Sequence, residues 1–198
     1  LGCPRSGTSL TAQLVLSAGF DADMNGQKLL MRPNPKYNPD GYFERMDVVR
    51  LNDKLISEIS NDYNFLNSPS IDEVKNFKSS NNELNILSKE LCSYDDWFIK
   101  DSRLCFTMHL YRIPNLKIIK VIRNSKDVKL SMERHYGDLF NKNVIHGPHN
   151  VNKVDFDWYY KNINDCIDWQ INNAENITVE YESVMNGNLE ILEKFLGK

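Results

Sequence analysis

The stretch Gly2-Cys3-Pro4-Arg5-Ser6-Gly7-Thr8-Ser9 opens the chain and decides how the rest is read. Its glycines stand at the G-x-x-x-x-G spacing of a loop that wraps an anion and runs into a helix, whose free N–H groups and dipole add to the grip. The loop that holds a nucleoside triphosphate carries Lys directly after the second glycine, to reach the outer phosphates. Here Thr8 occupies that place and the cation comes earlier, at Arg5. The octet therefore predicts a phosphate loop that departs from the magnesium–ATP pattern. A glycine turn before a helix is also common without any ligand, so further anion-binding groups must be sought along the chain.

Outward from the octet, Leu10, Leu14 and Ala18 recur at helical spacing and meet Gly19, which predicts a helix over Thr8 to Ala18. A strand should precede the loop, with most of it before Leu1. Pro33, Pro35 and Pro39 exclude a regular element over Met31 to Gly41, and Phe43, Met46, Val49, Ile56 and Ile59 then mark a helix. Asn61 to Asn85, rich in Asn, Ser and Asp, reads as surface connection with one short helix. Trp97-Phe98-Ile99 and Leu116 to Ile122 read as strands, each ending in a polar cluster. Helices are predicted over Ser125 to Tyr136, Asp155 to Asn173 and Leu189 to Leu196, with a short strand at Ile177 to Val179.

This alternation predicts one α/β domain over residues 1–198. Its expected form is P-loop NTPase-like: three α/β/α layers around a central parallel sheet of four or five strands, with ligands beyond the strands' C-terminal ends. A chain of 198 residues with 41% hydrophobic and 26% charged residues has the balance of a folded domain. Its net charge of −3 gives no whole-molecule attraction to nucleic acid or to an anionic membrane, so an anion site has to be local. No apolar run approaches the roughly 20 residues that span a bilayer, and the first residues are not a charged stretch followed by an apolar one, so a cytoplasmic location is expected, with a signal or anchor trimmed from before Leu1 left open. Cys3, Cys92, Cys105 and Cys166 never stand as C-x-x-C and read as buried or incidental thiols.

Four further clusters carry chemistry. Arg123 closes a strand, and Ser131 follows eight residues later on the next helix, tilted back so that both can share a ligand. An Arg at a strand end also serves as a surface ion-pair partner. Lys100-Asp101-Ser102-Arg103 ends the other strand, and Asp101 stands where a P-loop kinase keeps its magnesium-binding acid. Asn38-Pro39-Asp40-Gly41-Tyr42-Phe43-Glu44 brings a carboxylate behind two aromatic rings that would desolvate it, although a Glu at a helix start is often a dipole partner. His146 and His149 offer a rival base, but no carboxylate at ligand spacing accompanies them, and solvated loop residues are the plainer reading.

Pro4 to Ser9 match every position of P-[KR]-[ST]-G-[TS]-[TS], and with them the chain resembles the family of sulfotransferases that use 3'-phosphoadenosine 5'-phosphosulfate (PAPS) and release 3',5'-adenosine bisphosphate (PAP). It looks like the bacterial members and is distantly similar to tyrosylprotein sulfotransferases. The resemblance implies that Pro4, Arg5, Ser6, Gly7, Thr8 and Ser9 hold the 5'-phosphosulfate and that Arg123 and Ser131 hold the 3'-phosphate. Lys100-Asp101-Ser102-Arg103 is similar to the family's K-D-P-R segment with Ser for Pro, which gives Lys100 the role of stabilising the transferring group. Asn38 to Glu44 resembles N-P-x-G-[YHF]-[WF]-E, with Glu44 as base. Val179-Glu180-Tyr181-Glu182 resembles the Y-E-x-[LV] strand, with Tyr181 lining the adenine pocket, and Phe195-Leu196-Gly197 the terminal helix. The chain ends at Lys198, before any basic lid over the nucleotide.

The expected activity is in-line transfer of a sulfuryl group to a hydroxyl or amine, with Glu44, Lys100 and Arg5 as catalytic residues and no metal. The acceptor, whether small molecule, carbohydrate or peptide, is set by the loops Met31 to Tyr42 and Tyr136 to Val154. A P-loop small-molecule or nucleotide kinase and a non-catalytic nucleotide-binding module remain as alternatives.

Overall fold

The octet does run into a helix, α1 (Thr8–Ser17), which buries Thr11, Ala12 and Val15. The computed structural model describes the chain except for residues 61–66, 138–139, 141–143, 147–148, 152–153, 173 and 198; for 144–146 and 149–151 it describes the backbone alone. α2 (Met46–Ile59) begins two residues after Glu44. It buries Val48, Val49, Leu51, Asn52, Leu55 and Ile56, a stripe at three- and four-residue spacing that seats the helix in the core.

The connection expected to hold one short helix holds two. α3 (Ile71–Asn76) starts at a capping box: Ser70 accepts from the Glu73 N–H, and the Glu73 carboxylate reaches back to the Ser70 N–H. α4 (Asn82–Leu91) is capped by Asn81 and buries Leu84, Leu87 and Leu91. The Ser70-x-x-Glu73 pattern is the helix-start signal that the polar composition of the segment obscured. α5 (Leu104–Thr107) and a single 3-10 turn, Met108–Leu110, lead to β1 (Lys117–Ile122).

Asn124 caps α6 (Ser125–Tyr136), and the helix ends at Gly137 with φ 85°. The stretch containing His146 and His149, read as a loop, forms a hairpin of β2 (Val144–His146) and β3 (His149–Val151), as the β-branched Val144, Ile145 and Val151 favour. Asp155 caps α7 (Phe156–Ile171) through its side chain, and β4 (Glu175–Glu180), α8 (Tyr181–Met185) and α9 (Glu190–Leu196) follow. The core gathers Leu55 and Ile56 of α2, Leu91 of α4 and Ile163, Cys166 and Ile167 of α7.

The architecture is mixed α/β with a small sheet. β1 and β4 pair in parallel, from Lys117 opposite Glu175 to Ile122 opposite Glu180. The four- or five-stranded sheet expected from the sequence is not seen: among the described residues the parallel sheet has two strands and the hairpin stands apart. Trp97-Phe98-Ile99 is no strand and makes one parallel bridge, to Asp21. Leu1 lies along β1, its amine donating to the Ile119 carbonyl at 2.5 Å and its carbonyl accepting from the Val121 N–H at 2.7 Å. Between Trp97–Asp101, α1 and β1 lies a largely apolar cavity of about 540 Å³, lined by Val15, Phe98, Ile99, Ile118 and Ile119 among others.

Candidate active site

The loop before α1 is held in a shape that few residues adopt. Arg5 has φ 70° and Gly7 φ 96°, both in the left-handed region, which costs a non-glycine residue about 1–2 kcal/mol. Ser6, almost wholly buried, donates to the Cys3 carbonyl through its N–H at 3.0 Å and its hydroxyl at 2.6 Å. A Cβ on Gly7 would lie 2.2 Å from Cδ2 of Tyr181, and one on Gly2 would lie 2.8 Å from the Val121 carbonyl. Both glycines are therefore demanded by close approach, and Gly7 also by its backbone angle. No side-chain hydrogen bond caps α1 and its first turn holds no acid, so no side chain of the cap offsets the orphan N–H groups there.

Arg123, Ser131 and Tyr181 close on this loop. The Arg5 side chain donates through Nε to Ser131 Oγ at 3.2 Å, and Arg123 Nη1 donates to the Arg5 carbonyl at 3.1 Å. Ser131 and Arg123 thus meet through Arg5. The Arg123 guanidinium lies 4.2 Å from the centre of the Tyr181 ring, a cation–π stack. Its Nε is buried and has no hydrogen-bond partner among the described residues. Tyr181 is the first residue of α8 and not part of a strand, because the chain turns into helix directly after Glu180. Its ring packs against Gly7 and Arg123.

A second cluster stands on the other side of the loop. The backbone enters α2 through Gly41 at φ 106° and Phe43 at φ 57°, a strained angle for a bulky residue. The strain is fixed by neighbours: Met31 N–H donates to the Glu44 carbonyl at 2.7 Å and Met46 N–H to the Leu29 carbonyl at 2.8 Å. Arg45, 1% exposed, anchors the turn by pairing with Asp47 at 2.6 Å and Glu90 at 3.0 Å. Glu44, 6% exposed, receives Lys100 Nζ at 2.5 Å, with Arg103 at 3.9 Å. Burial pushes the Glu44 carboxyl above the ordinary carboxylate range, against the pull of the Lys100 ammonium, and Asp101 adds to the upward push.

The two clusters share one electrostatic neighbourhood. Tyr42 and Tyr136 are both pushed up by burial, and both feel Arg5 and Glu44. Asn38 Nδ2 donates to Ser9 Oγ at 3.1 Å, which fastens the proline-rich loop to the start of α1. Asp101 is closed off: Asn52 Nδ2 reaches one oxygen at 2.8 Å, and the Arg103 N–H and Nη1 reach the other at 3.0 Å each. Cys3, Cys105 and Cys166 are buried and free, as the spacing implied, and burial pushes the Cys166 thiol up to about 12.

The structure therefore brings Arg5, Ser131, Arg123 and Tyr181 together at the loop and Glu44 with Lys100 beside it. The large apolar cavity touches Gly2, Thr8 and Lys100 at its edge, but Arg5, Glu44, Arg123 and Ser131 do not line it. The β2–β3 register sets His146 opposite His149, and their side chains lie outside the described residues. Sequence reasoning missed Asn52 and the part Arg103 plays. The signal for Asn52 was a polar residue at i+4 from Val48 and i−4 from Ile56, on the buried stripe of α2. In comparisons with known proteins, no family model, no curated protein and no solved structure matches the chain.

Proposed function

We propose that this chain is a sulfotransferase that moves a sulfuryl group from PAPS to a hydroxyl or amine, on a P-loop NTPase-like three-layer framework. The observation that carries the reading is the convergence of Arg5, Ser131 and Arg123 on the left-handed loop, with Arg123 Nε buried and unpartnered. A guanidinium already fixed by a carbonyl and an aromatic ring, with a donor to spare, fits an anionic oxygen. The parallel contacts of Leu1 with β1 and of Asp21 with Trp97 support the framework.

Bound PAPS supplies an activated sulfuryl group on a phosphate leaving group. The N–H groups at the start of α1, with the Thr8 and Ser9 hydroxyls, hold the 5'-phosphate end, and Arg123 with Ser131 holds the 3'-phosphate. Glu44 accepts the proton of the attacking hydroxyl or amine. Its burial makes it a stronger base than a solvated carboxylate, while the Lys100 ammonium pulls the other way, toward the ionised form. The ion pair also couples the two halves of the reaction. As Glu44 takes up a proton, Lys100 loses its counter-charge, and its ammonium becomes available, with Arg5, to the negative charge growing on the leaving oxygen.

The kinase alternative needs an acid beside the phosphates to hold magnesium. Asp101, the residue in that place, has both oxygens engaged by Asn52 and Arg103. Incubation with PAPS labelled in its sulfate, across a panel of alcohols, phenols, sugars and amines, tests the proposal. Label should pass to an acceptor with release of an equal amount of PAP. Phosphoryl transfer from ATP would replace this reading with the kinase, and PAPS binding without transfer would replace it with the binding module.

A further inference from the structure

We infer that Asn52 is a positioning residue for the Glu44–Lys100 pair: by holding Asp101, it leaves Lys100 facing Glu44 as its carboxylate partner. Its consequence for turnover rests on the sulfotransferase reading; the geometry does not. Asn52 is fully buried, and both the oxygen and the nitrogen of its amide are hydrogen-bonded. Its oxygen accepts from Thr107 Oγ1 at 2.8 Å and from the Tyr111 hydroxyl at 2.8 Å, which turns the NH2 toward Asp101 Oδ2 at 2.8 Å. That arrangement suits a neighbour that only accepts, an ionised carboxylate.

Lys100 and Asp101 are adjacent in sequence, so an ammonium and a carboxylate that would pair in solution are instead sent to different partners. Asp101 is turned onto α2, where Asn52 meets it, and the next residue, Asp53, takes Arg103 Nε at 2.6 Å. The same helix starts just after Glu44 and carries its anchor, Arg45. One rigid element therefore fixes both ends of the Glu44–Lys100 pair, and Asn52 is its contact with the Lys100 side. The charged and titratable groups that face Glu44 are Lys100, Asp101 and Arg103, with Tyr42 and Tyr136 on the loop side. Lys100 and Arg103 pull its titration down and Asp101 pushes it up. Releasing Asp101 to share Lys100 must weaken the larger of the downward pulls.

The test is the titration of Glu44, read by NMR of carboxyl-labelled glutamate and assigned with Glu44→Gln, together with steady-state kinetics. Asn52→Ala should move the Glu44 midpoint up by about half a pH unit or more. It should also lower kcat about tenfold, as misplacement of a reacting group does, with the dissociation constant of PAP unchanged. Adding Asp101→Asn to Asn52→Ala removes the carboxylate that would compete for Lys100, so the double variant should lose the upward shift of the Glu44 midpoint and recover most of the kcat that Asn52→Ala alone loses.

A lower melting temperature for Asn52→Ala with the Glu44 midpoint and pH profile unmoved would reduce Asn52 to a structural residue and overturn the inference. If Asn52→Ala does not fold, the shape-keeping Asn52→Leu, which also lacks the hydrogen bond to Asp101, is measured in its place, and a Glu44 midpoint unmoved in that variant overturns the inference equally. Should wild-type protein show no sulfuryl transfer while the Glu44 midpoint moves as expected, the functional reading falls and the positioning role stands.

Discussion

Replacing Arg123 with Ala removes three things whose sizes are separable. The first is the bond from Nη1 to the Arg5 carbonyl, about 1 kcal/mol. The second is the stack on Tyr181 at 4.2 Å, about 0.5–1 kcal/mol. Both act on the protein itself, and their sum corresponds to a fall in melting temperature of roughly 3–8 °C for a chain of this size. The third is the buried Nε, whose contact with a 3'-phosphate would be worth about 2 kcal/mol, or roughly 30-fold in affinity. Loosening of Arg5 weakens every nucleotide alike, so the ratio of affinities isolates the third term. Calorimetric titration with PAP and with adenosine 5'-monophosphate, which lacks the 3'-phosphate, should show the variant losing about 30-fold more for PAP than for the monophosphate. Equal losses for the two ligands would remove Arg123 from the 3'-phosphate role.

Gly7→Ala combines a left-handed backbone with a Cβ placed 2.2 Å from the Tyr181 ring; it should cost about 3 kcal/mol by thermal unfolding, and adding Tyr181→Ala should recover the clash but not the backbone part. Glu44→Gln keeps shape and removes the base, so kcat with an alcohol acceptor should drop about 100-fold while calorimetry finds PAP bound as before; near-full turnover would move the base elsewhere. The carboxyl of Glu44 is raised above its ordinary 4.5 by burial. With Glu44 as the proposed base only the deprotonated form is active, so kcat/KM should rise with pH along a limb centred above that value. In Lys100→Ala the limb should move higher still, because the ammonium that favours ionisation is gone; a limb moving down would contradict the assigned pairing.

Helix positions were readable because periodicity and caps act locally. Asn124 opens α6 and Asp155 opens α7 where the sequence placed them, and Gly137 ends the former. The sheet was not readable, since a strand exists only through its neighbour: Trp97-Phe98-Ile99 has the composition of a strand and finds one bridge partner, Asp21. Within the site, spacing made the loop glycines and the Arg123–Ser131 pair legible one by one, and their meeting at the loop was implied by the family resemblance alone. The pairing of Arg5 with Ser131 was hidden, because it depends on a left-handed Arg5 that no pattern specifies. Asn52 was hidden for a related reason. Its meaning comes from Asp101, Thr107 and Tyr111, which are brought to it from 49 to 59 positions away.

The central claim is that the loop, Arg123 and Ser131 form a site for a nucleotide bearing separate 3'- and 5'-anionic groups and need no magnesium to hold it. Calorimetric titration of the wild-type protein with PAP, and with ATP plus magnesium, each repeated in the presence of a chelator, tests it directly. The account predicts that PAP binds with the same affinity with and without the chelator and at least about tenfold more tightly than magnesium–ATP, the equivalent of 1.4 kcal/mol. Tighter binding of magnesium–ATP, or no binding of PAP, would contradict it.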